Sequence, residues 1–251
     1  MELIELVSIL EEIAPPELAD SFDAGKIGLI LKGSGSVKKV ATALDPTPYA
    51  INKAISMKAQ ALITHHTLIW NPVSIIDDRL SGQLRLLLEH DISLYAMHTN
   101  YDKAPGGVND VLAATIGLMD VQENEHGRVG YIDECLLFDF ARYASRQLLT
   151  PVEVAGDKDR VVNKVAVVAG SGFREGLDMA RRNKADVLLS SELKHDTIRE
   201  RGNVALISAP HYHTEAPAMK ALAERLNKYV KAYFIEDPPG IEVLKGFERD
   251  I

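Results

Sequence analysis

Four stretches of this chain place imidazole and carboxylate groups at the ends of apolar runs. His65 and His66 follow Ala61-Leu62-Ile63-Thr64, and His98 and Asp102 follow residues 92–97. Glu192 follows residues 186–189, and His211 and Glu215 follow residues 204–208. Imidazole nitrogens and carboxylate oxygens without thiolates suit borderline divalent ions such as Fe, Mn, Zn or Co. Three histidines and two carboxylates exceed what one tetrahedral ion takes, and a carboxylate can bridge two ions about 3.5–4 Å apart. His211 and Glu215 stand four apart, so one helical turn puts them on the same side. Each piece has a plainer reading. Paired histidines at a polar strand terminus can simply be solvated, and His–Glu pairs at this spacing are common on helix surfaces.

Side chains alternate faces along an extended segment, so His65 and His66 address one site only if their strand stops there. The apolar run does stop there. Upstream, residues 2–13 read as an amphipathic helix closed by Pro15-Pro16, and residues 27–31 and 37–44 as strands around Gly33-Ser34-Gly35. Helices are expected over 46–59, with Thr47 as N-cap, over 79–90, and from Pro105-Gly106-Gly107 through Ile116. Residues 129–132 read as a strand and 134–148 as a helix, with turns at Pro151 and Gly156-Asp157. Strands then follow at 164–169, 186–189, 204–208 and 230–235, with helices at 173–183 and 217–226. Gly170-Ser171-Gly172 could cradle a phosphate before a helix, though it lacks the Walker lysine.

This alternation argues for an α/β architecture with largely parallel sheets. Lys39-Val40-Ala41-Thr42-Ala43-Leu44, a helix, and Lys58-Ala59-Gln60-Ala61-Leu62-Ile63-Thr64 recur with one residue of length difference. The second copy is Lys164-Val165-Ala166-Val167-Val168-Ala169, a helix, and Lys184-Ala185-Asp186-Val187-Leu188-Leu189-Ser190. The expectation is one domain over 1–251 with two pseudo-repeated lobes, roughly 1–125 and 126–251. Chance similarity between ordinary parallel units is the alternative. Open parallel sheets bind ligands beyond the carboxyl ends of their strands, which puts a metal site between the lobes.

The 251 residues are enough for a full core, and no apolar run approaches the roughly 18 residues that span a bilayer. Cys135 is the single cysteine, so neither a disulfide framework nor a thiolate zinc site is available. Acidic Glu2 and Glu5 stand where a secretory leader carries basic residues, and a cytoplasmic location is the expectation. A net charge of −8 gives no support to general nucleic-acid binding.

Ile63-Thr64-His65-His66, His98-Thr99-Asn100-Tyr101-Asp102, Ser191-Glu192-Leu193-Lys194-His195 and His211-Tyr212-His213-Thr214-Glu215 also carry a resemblance. In this order they resemble the signatures of the Nif-three-like dinuclear-metal-centre family, whose members bear the name GTP cyclohydrolase 1 type 2 homologue. The match runs from about residue 2 to 245 and resembles short members without an insert between the halves. The resemblance implies a two-lobed α/β fold with related halves and a toroidal homohexamer. It implies two metal ions per chain, held by His65, His66, Asp102, His211 and Glu215. This chain departs from the pattern in three places. Phe22-Asp23-Ala24-Gly25-Lys26-Ile27-Gly28-Leu29 replaces Trp-Asp-Asn-Val-Gly-Leu, Thr67 replaces the proline after the paired histidines, and Asp196 follows His195 where many members have histidine. Those changes spare the metal ligands and touch any shared substrate contacts.

His195 and Glu192 are then candidates for acid–base work beside the metals, because a near-neutral imidazole suits proton shuttling. His98 is read as a residue lying behind the ligands or touching substrate, with capping of its loop as the alternative. His213 is read as structural. Three function classes follow. The first is a metal-dependent hydrolase, with a nucleotide or another phosphorylated small molecule as substrate. The second is a non-catalytic hexameric metal-binding scaffold or regulator that contacts protein or nucleic acid. The third is a plain α/β protein with a polar cleft.

Overall fold

The repeat legible in the sequence holds down to single hydrogen bonds. The computed structural model describes residues 1–241, so the last ten residues of the lobe expected to reach 251 lie outside the described residues. In chain order the first half contains α1 (Leu3–Ile13), β1 (Gly28–Leu31), β2 (Lys39–Ala43), α2 (Pro48–Ser56) and β3 (Ala61–Thr64). It continues with α3 (Asp78–Glu89), β4 (Ser93–Ala96), α4 (Thr99–Lys103) and α5 (Val108–Thr115). The first half ends with β5 (Met119–Glu123), and the second opens with β6 (Arg128–Leu136), α6 (Leu137–Gln147), β7 (Glu153–Ala155) and β8 (Val161–Val167). After these come α7 (Phe173–Arg182), β9 (Val187–Ser190), α8 (His195–Glu200), β10 (Ala205–Ser208), α9 (His211–Leu226) and β11 (Lys231–Phe234).

The units β2–α2–β3 and β8–α7–β9 each form a parallel pair around their helix. Both helices end in the same Schellman turn, with a lysine in the left-handed region: Lys58 at φ 57° and Lys184 at φ 55°. In the first, Lys58 N–H donates to Ile55 and Ala59 N–H to Ala54; in the second, Lys184 donates to Arg181 and Ala185 to Ala180. Gln60 Oε1 accepts from the Lys38 and Lys39 amides, and Asp186 Oδ2 accepts from Asn163 and Lys164 at the matching place. A left-handed lysine costs about 1–2 kcal/mol against a glycine's freedom, and both copies retain it.

The strands assemble into two sheets, one of order β1-β4-β3-β2-β11 and one of order β5-β6-β8-β9-β10-β7. The first is parallel except for β1, which runs antiparallel to β4. The second is mixed: β8, β9 and β10 are parallel, while β5, β6 and β7 enter antiparallel. The expectation of largely parallel sheets therefore holds for the first sheet and for the repeated unit of the second. The sheets also trade elements across residue 125. β5 joins the second sheet from the first half, and β11 returns from the second half to pair with β2. A cut there would not separate the two sheets.

Strands β3 and β9 are buried along their whole length, which is why they read as unbroken apolar runs. Leu62 faces a cluster with Ile51 and Leu87, while Ala61 and Ile63 face the large core shared by both sheets. Leu188 likewise packs with Phe173 and Leu177, while Val187 and Leu189 enter the shared core. Boundaries differ from expectation in several places. β6 runs on through Leu136, its ladder to β8 resuming at Cys135 and Leu136 after an irregular stretch, so the helix starts at Leu137 instead of 134. Residues 153–155, expected as part of a turn region, form β7. Helix α9 starts at His211, and Pro217 lies inside it, on a segment whose Thr214, Glu215, Ala216, Ala218 and Met219 are buried. Among the described residues, no helix is long and apolar enough to cross a membrane.

Candidate metal centre

The paired histidines share one site because the chain leaves the sheet register at the end of β3. The amides of His65 and His66 both donate to the Leu44 carbonyl, at 3.1 and 3.0 Å, so the alternation of faces is broken between them. Their ring centroids lie 5.0 Å apart. His98 and Asp102 come from the corner between β4 and α4. Asn109 holds that corner against the other half, donating to the Asp102 carbonyl at 3.0 Å and accepting from the Ala169 amide at 2.9 Å. His211 and Glu215 occupy the first turns of α9. That helix packs on β2, β11 and α5, so it brings a strand end of the second sheet onto the first. The Thr42 hydroxyl donates to the Met219 carbonyl at 2.7 Å across this junction.

Glu215 is the hub. Its carboxylate, on a side chain only 4% exposed, lies 2.9 Å from His211 Nε2, 3.3 Å from His66 Nε2 and 3.7 Å from His65 Nε2. Asp102 lies 3.5 Å from His65 Nε2. Each imidazole is anchored from behind through Nδ1. His65 donates to the Met97 carbonyl at 2.9 Å, and His66 pairs with Asp45 at 2.7 Å. His211 pairs with Glu192 at 2.9 Å, and His98 with Asp23 at 2.8 Å. A backbone carbonyl only accepts, so the His65 proton resides on Nδ1 and Nε2 keeps its lone pair. Outer acceptors of this kind orient metal-ligating histidines.

Four buried atoms at the centre lack a well-formed hydrogen bond among the described residues: His65 Nε2, Asp102 Oδ1, His211 Nε2 and Glu215 Oε2, the last two facing each other as an ion pair at 2.9 Å. Leaving each unsatisfied costs about 1–3 kcal/mol. All four are nitrogen or oxygen atoms facing inward, and once the His211 proton leaves, a cation answers them together. Donor atoms of His65, Asp102 and Glu215 lie within 4.8 Å of one another, as do those of His66, His211 and Glu215, and those of His65, His66 and His98. The buried His, Asp and Glu groups can thus hold metal ions.

Protons stabilise the cluster in the absence of cations. Burial drives His65 down to about 4, so it is neutral at pH 7. Burial also works against charge on His66, but Asp45 and Glu215 outweigh it and hold the imidazole up to about 10. His211 is held up to about 9 against its burial by Glu215 and Glu192. Glu215 is buried too, yet the surrounding imidazoles keep its carboxyl well below the usual range. Asp102 goes the other way: burial and the Glu215 charge push it well above.

The structure therefore gathers His65, His66, Asp102, His211 and Glu215, with His98 and Glu192 at their edge. It does not bring in His195, which is exposed at the first residue of α8 with no hydrogen bond to a residue of the cluster. The short α8 turns that side chain to solvent, whereas Glu192, in the left-handed region at φ 62°, turns to His211. His213 donates to the Leu148 carbonyl, a structural contact. Asp45 and Asp23 are additions. Asp45 was findable, because it follows β2 as the other polar residues follow their strands. Asp23 sits in a 3-10 turn (Ser21–Asp23) with no strand to flag it, yet it is fully buried and pairs with His98 and Thr99. Gly170 has a different use from phosphate binding. A Cβ there would lie 2.1 Å from Glu215 Oε1, so its lack of a side chain makes room for the hub.

The description Duf34/NIF3 (NGG1p interacting factor 3) belongs to the family model that matches residues 1–238. A relative from Pyrococcus horikoshii, named GTP cyclohydrolase 1 type 2 homolog, is 32% identical over 259 residues, covering 96% of this chain and 100% of its own. Among solved structures, a hypothetical protein of Staphylococcus aureus is similar at TM-score 0.88 and 25% identity, with 97% of this chain and 99% of that one covered. Reduced HcgD from Methanocaldococcus jannaschii is similar at TM-score 0.81 and 30% identity, with 93% and 96% covered.

Two outcomes are expected. Gly170→Ala should displace Glu215 and strip metal from the protein while leaving its fold; undiminished metal content by elemental analysis would contradict the packing role. Metal loading at pH 7 should release at least two protons per chain, because His66 and His211 are protonated there and a coordinating imidazole is not. Affinity should accordingly rise with pH towards about 9–10, where those imidazoles are already free. Calorimetry in buffers of different ionisation enthalpy reads the proton count directly.

Proposed function

The chain belongs to the Duf34/NIF3 family, and from that premise we propose that it is a dinuclear metal-dependent hydrolase acting on a nucleotide or another phosphorylated small molecule. The observation that carries this is the position of Glu215, which is common to two separate three-donor groups. His65 and Asp102 would hold one divalent ion, His66 and His211 the other, with Glu215 serving both. When bound, such a pair supplies the Lewis acidity that activates water at neutral pH.

The chain's own groups supply the rest. A cleft of about 500 Å³ opens over the cluster, lined by His98, Asp102, Lys103, His126, His211 and Glu215, a size suited to a small ligand. Glu192 is ionised, because hydrogen bonds from Ser171 and His211 outweigh its partial burial. It can take a proton at its carboxylate and hold His211 in place. His98 keeps Nε2 free because Asp23 occupies Nδ1, so it can orient a substrate group or pass a proton. The name those relatives carry, GTP cyclohydrolase 1 type 2 homolog, favours a purine nucleotide. A closed homohexamer belongs to the same proposal and rests on the family resemblance.

Reconstituted protein should hold two ions per chain, and Asp102→Ala or Glu215→Ala should lose more metal than His98→Ala. Less than about one ion per chain would sink the two-metal centre. Glu192→Gln should slow turnover on the order of 10²-fold with both ions retained, since acid–base groups contribute about 10²–10⁴. If the fully loaded protein hydrolyses neither GTP nor other phosphorylated compounds, the metal-binding scaffold takes the place of the hydrolase. Light scattering should return a hexamer, and a monomer at micromolar concentration would remove the ring.

A further inference from the structure

Two aromatic rings stay in solvent beside the metal cluster although burying them would be favourable. Phe22 is 56% exposed and Trp70 41%. The Trp70 ring centroid lies 5.1 Å from that of His98 and 5.8 Å from that of His66, and Phe22 lies 6.2 Å from His98. The Lys26 ammonium reaches both rings, 5.7 Å from the centre of Phe22 and 5.9 Å from that of Trp70. Among the described residues, the lysines and arginines in ion pairs are Lys103, Arg128, Arg160 and Arg181, so Lys26 remains uncommitted.

Lys26 and Trp70 also line a groove of about 390 Å³ between residues 24–30 and 67–72. Thr67 lines it as well, only 4% exposed, and its hydroxyl has no hydrogen-bond partner among the described residues. A buried polar atom left unsatisfied is costly, and one lining a groove points to a ligand that satisfies it. The groove adjoins the cleft over the metal cluster, on whose wall Phe22 stands. Its chemistry has a definite complement. An exposed indole face takes a flat ring, a free ammonium takes an anion, and an unpaired hydroxyl takes a heteroatom.

We propose that this groove is the substrate-positioning site for a planar heteroaromatic ring bearing an anionic group. It rests on the reading of the adjoining centre as one that acts on a phosphorylated substrate. Trp70 stacks on the ring, Lys26 pairs with the anion, and Thr67 bonds a heteroatom. Binding energy gathered here holds the molecule against the metal cluster, which is how remote contacts contribute to rate.

Trp70 is the single tryptophan of the chain, so indole emission reports on this groove alone. The metal-loaded full chain is titrated with GMP, guanosine and ribose 5-phosphate, by emission and by calorimetry. GMP should change the emission and bind more tightly than either fragment. Trp70→Ala should weaken GMP about 5- to 150-fold by calorimetry, as loss of one stacking partner does, with metal content unchanged. Lys26→Ala should weaken GMP and leave guanosine alone, and Thr67→Val should weaken both. GMP that binds no better than ribose 5-phosphate, or a Trp70→Ala variant that binds like the parent, overturns the proposal. The two readings separate cleanly. Trp70-dependent binding without turnover removes the hydrolase and keeps the groove, whereas turnover indifferent to Trp70→Ala removes the groove and keeps the hydrolase.

Discussion

A buried carboxylate is the constraint on which this structure turns. Glu215 has three imidazole nitrogens within 3.7 Å and scarcely any water. Burying an ionised carboxylate without compensation costs several kcal/mol. Here positive charge compensates it, carried by protons on His66 and His211 or by cations bound in their stead. Asp102 records the same constraint with opposite sign. Two carboxylates in one pocket repel, and the one with less cationic company becomes the harder to ionise. Protonation and metallation are two ways of balancing one charge.

The surrounding fold can be read as what that carboxylate requires. It needs donors from two sheets, and α9 crosses from one to the other to bring them together. Each histidine must present Nε2, and a second ring of acceptors, Met97, Asp45, Glu192 and Asp23, holds each Nδ1. It also needs space, and Gly170 leaves it. These supports come from loops and strand ends far apart in the chain, so the inner geometry is over-determined before any ligand arrives.

Much of this was legible in the residues, for identifiable reasons. Strands buried on both faces show as apolar runs, and the abrupt His65-His66 and His98 endings mark where those runs meet the polar cluster. The His211–Glu215 spacing gave one helical face. Pro217 suggested a later start for that helix, because a proline removes one backbone donor; the buried packing of residues on either side of it outweighs that loss. His195 read as a site residue because it lies in one of the four motifs and an imidazole suits proton shuttling, yet it stands exposed at the start of α8 while Glu192, in a left-handed turn, meets His211. Sequence proximity carries no information about such a turn. Asp23 lay in an irregular segment, where periodicity says nothing. The exchange of β5 and β11 between sheets was also invisible, since strand pairing is a long-range choice that local pattern does not encode.

The return of β11 to β2 bears on how the molecule comes into being during synthesis. Residues 231–234 close the edge of a sheet whose other strands lie between residues 28 and 96. While the ribosome is still adding the second half, β2 presents an unpaired edge, and neither His211 nor Glu215 has yet emerged. The nascent chain can therefore fold β3 and display His65 and His66, but it has no enclosed carboxylate to match them. Such long sequence separation makes the final closure slow compared with local helix formation. It also means that a ribosome-bound fragment has only part of the donor set, which is complete only after the last crossing has been made.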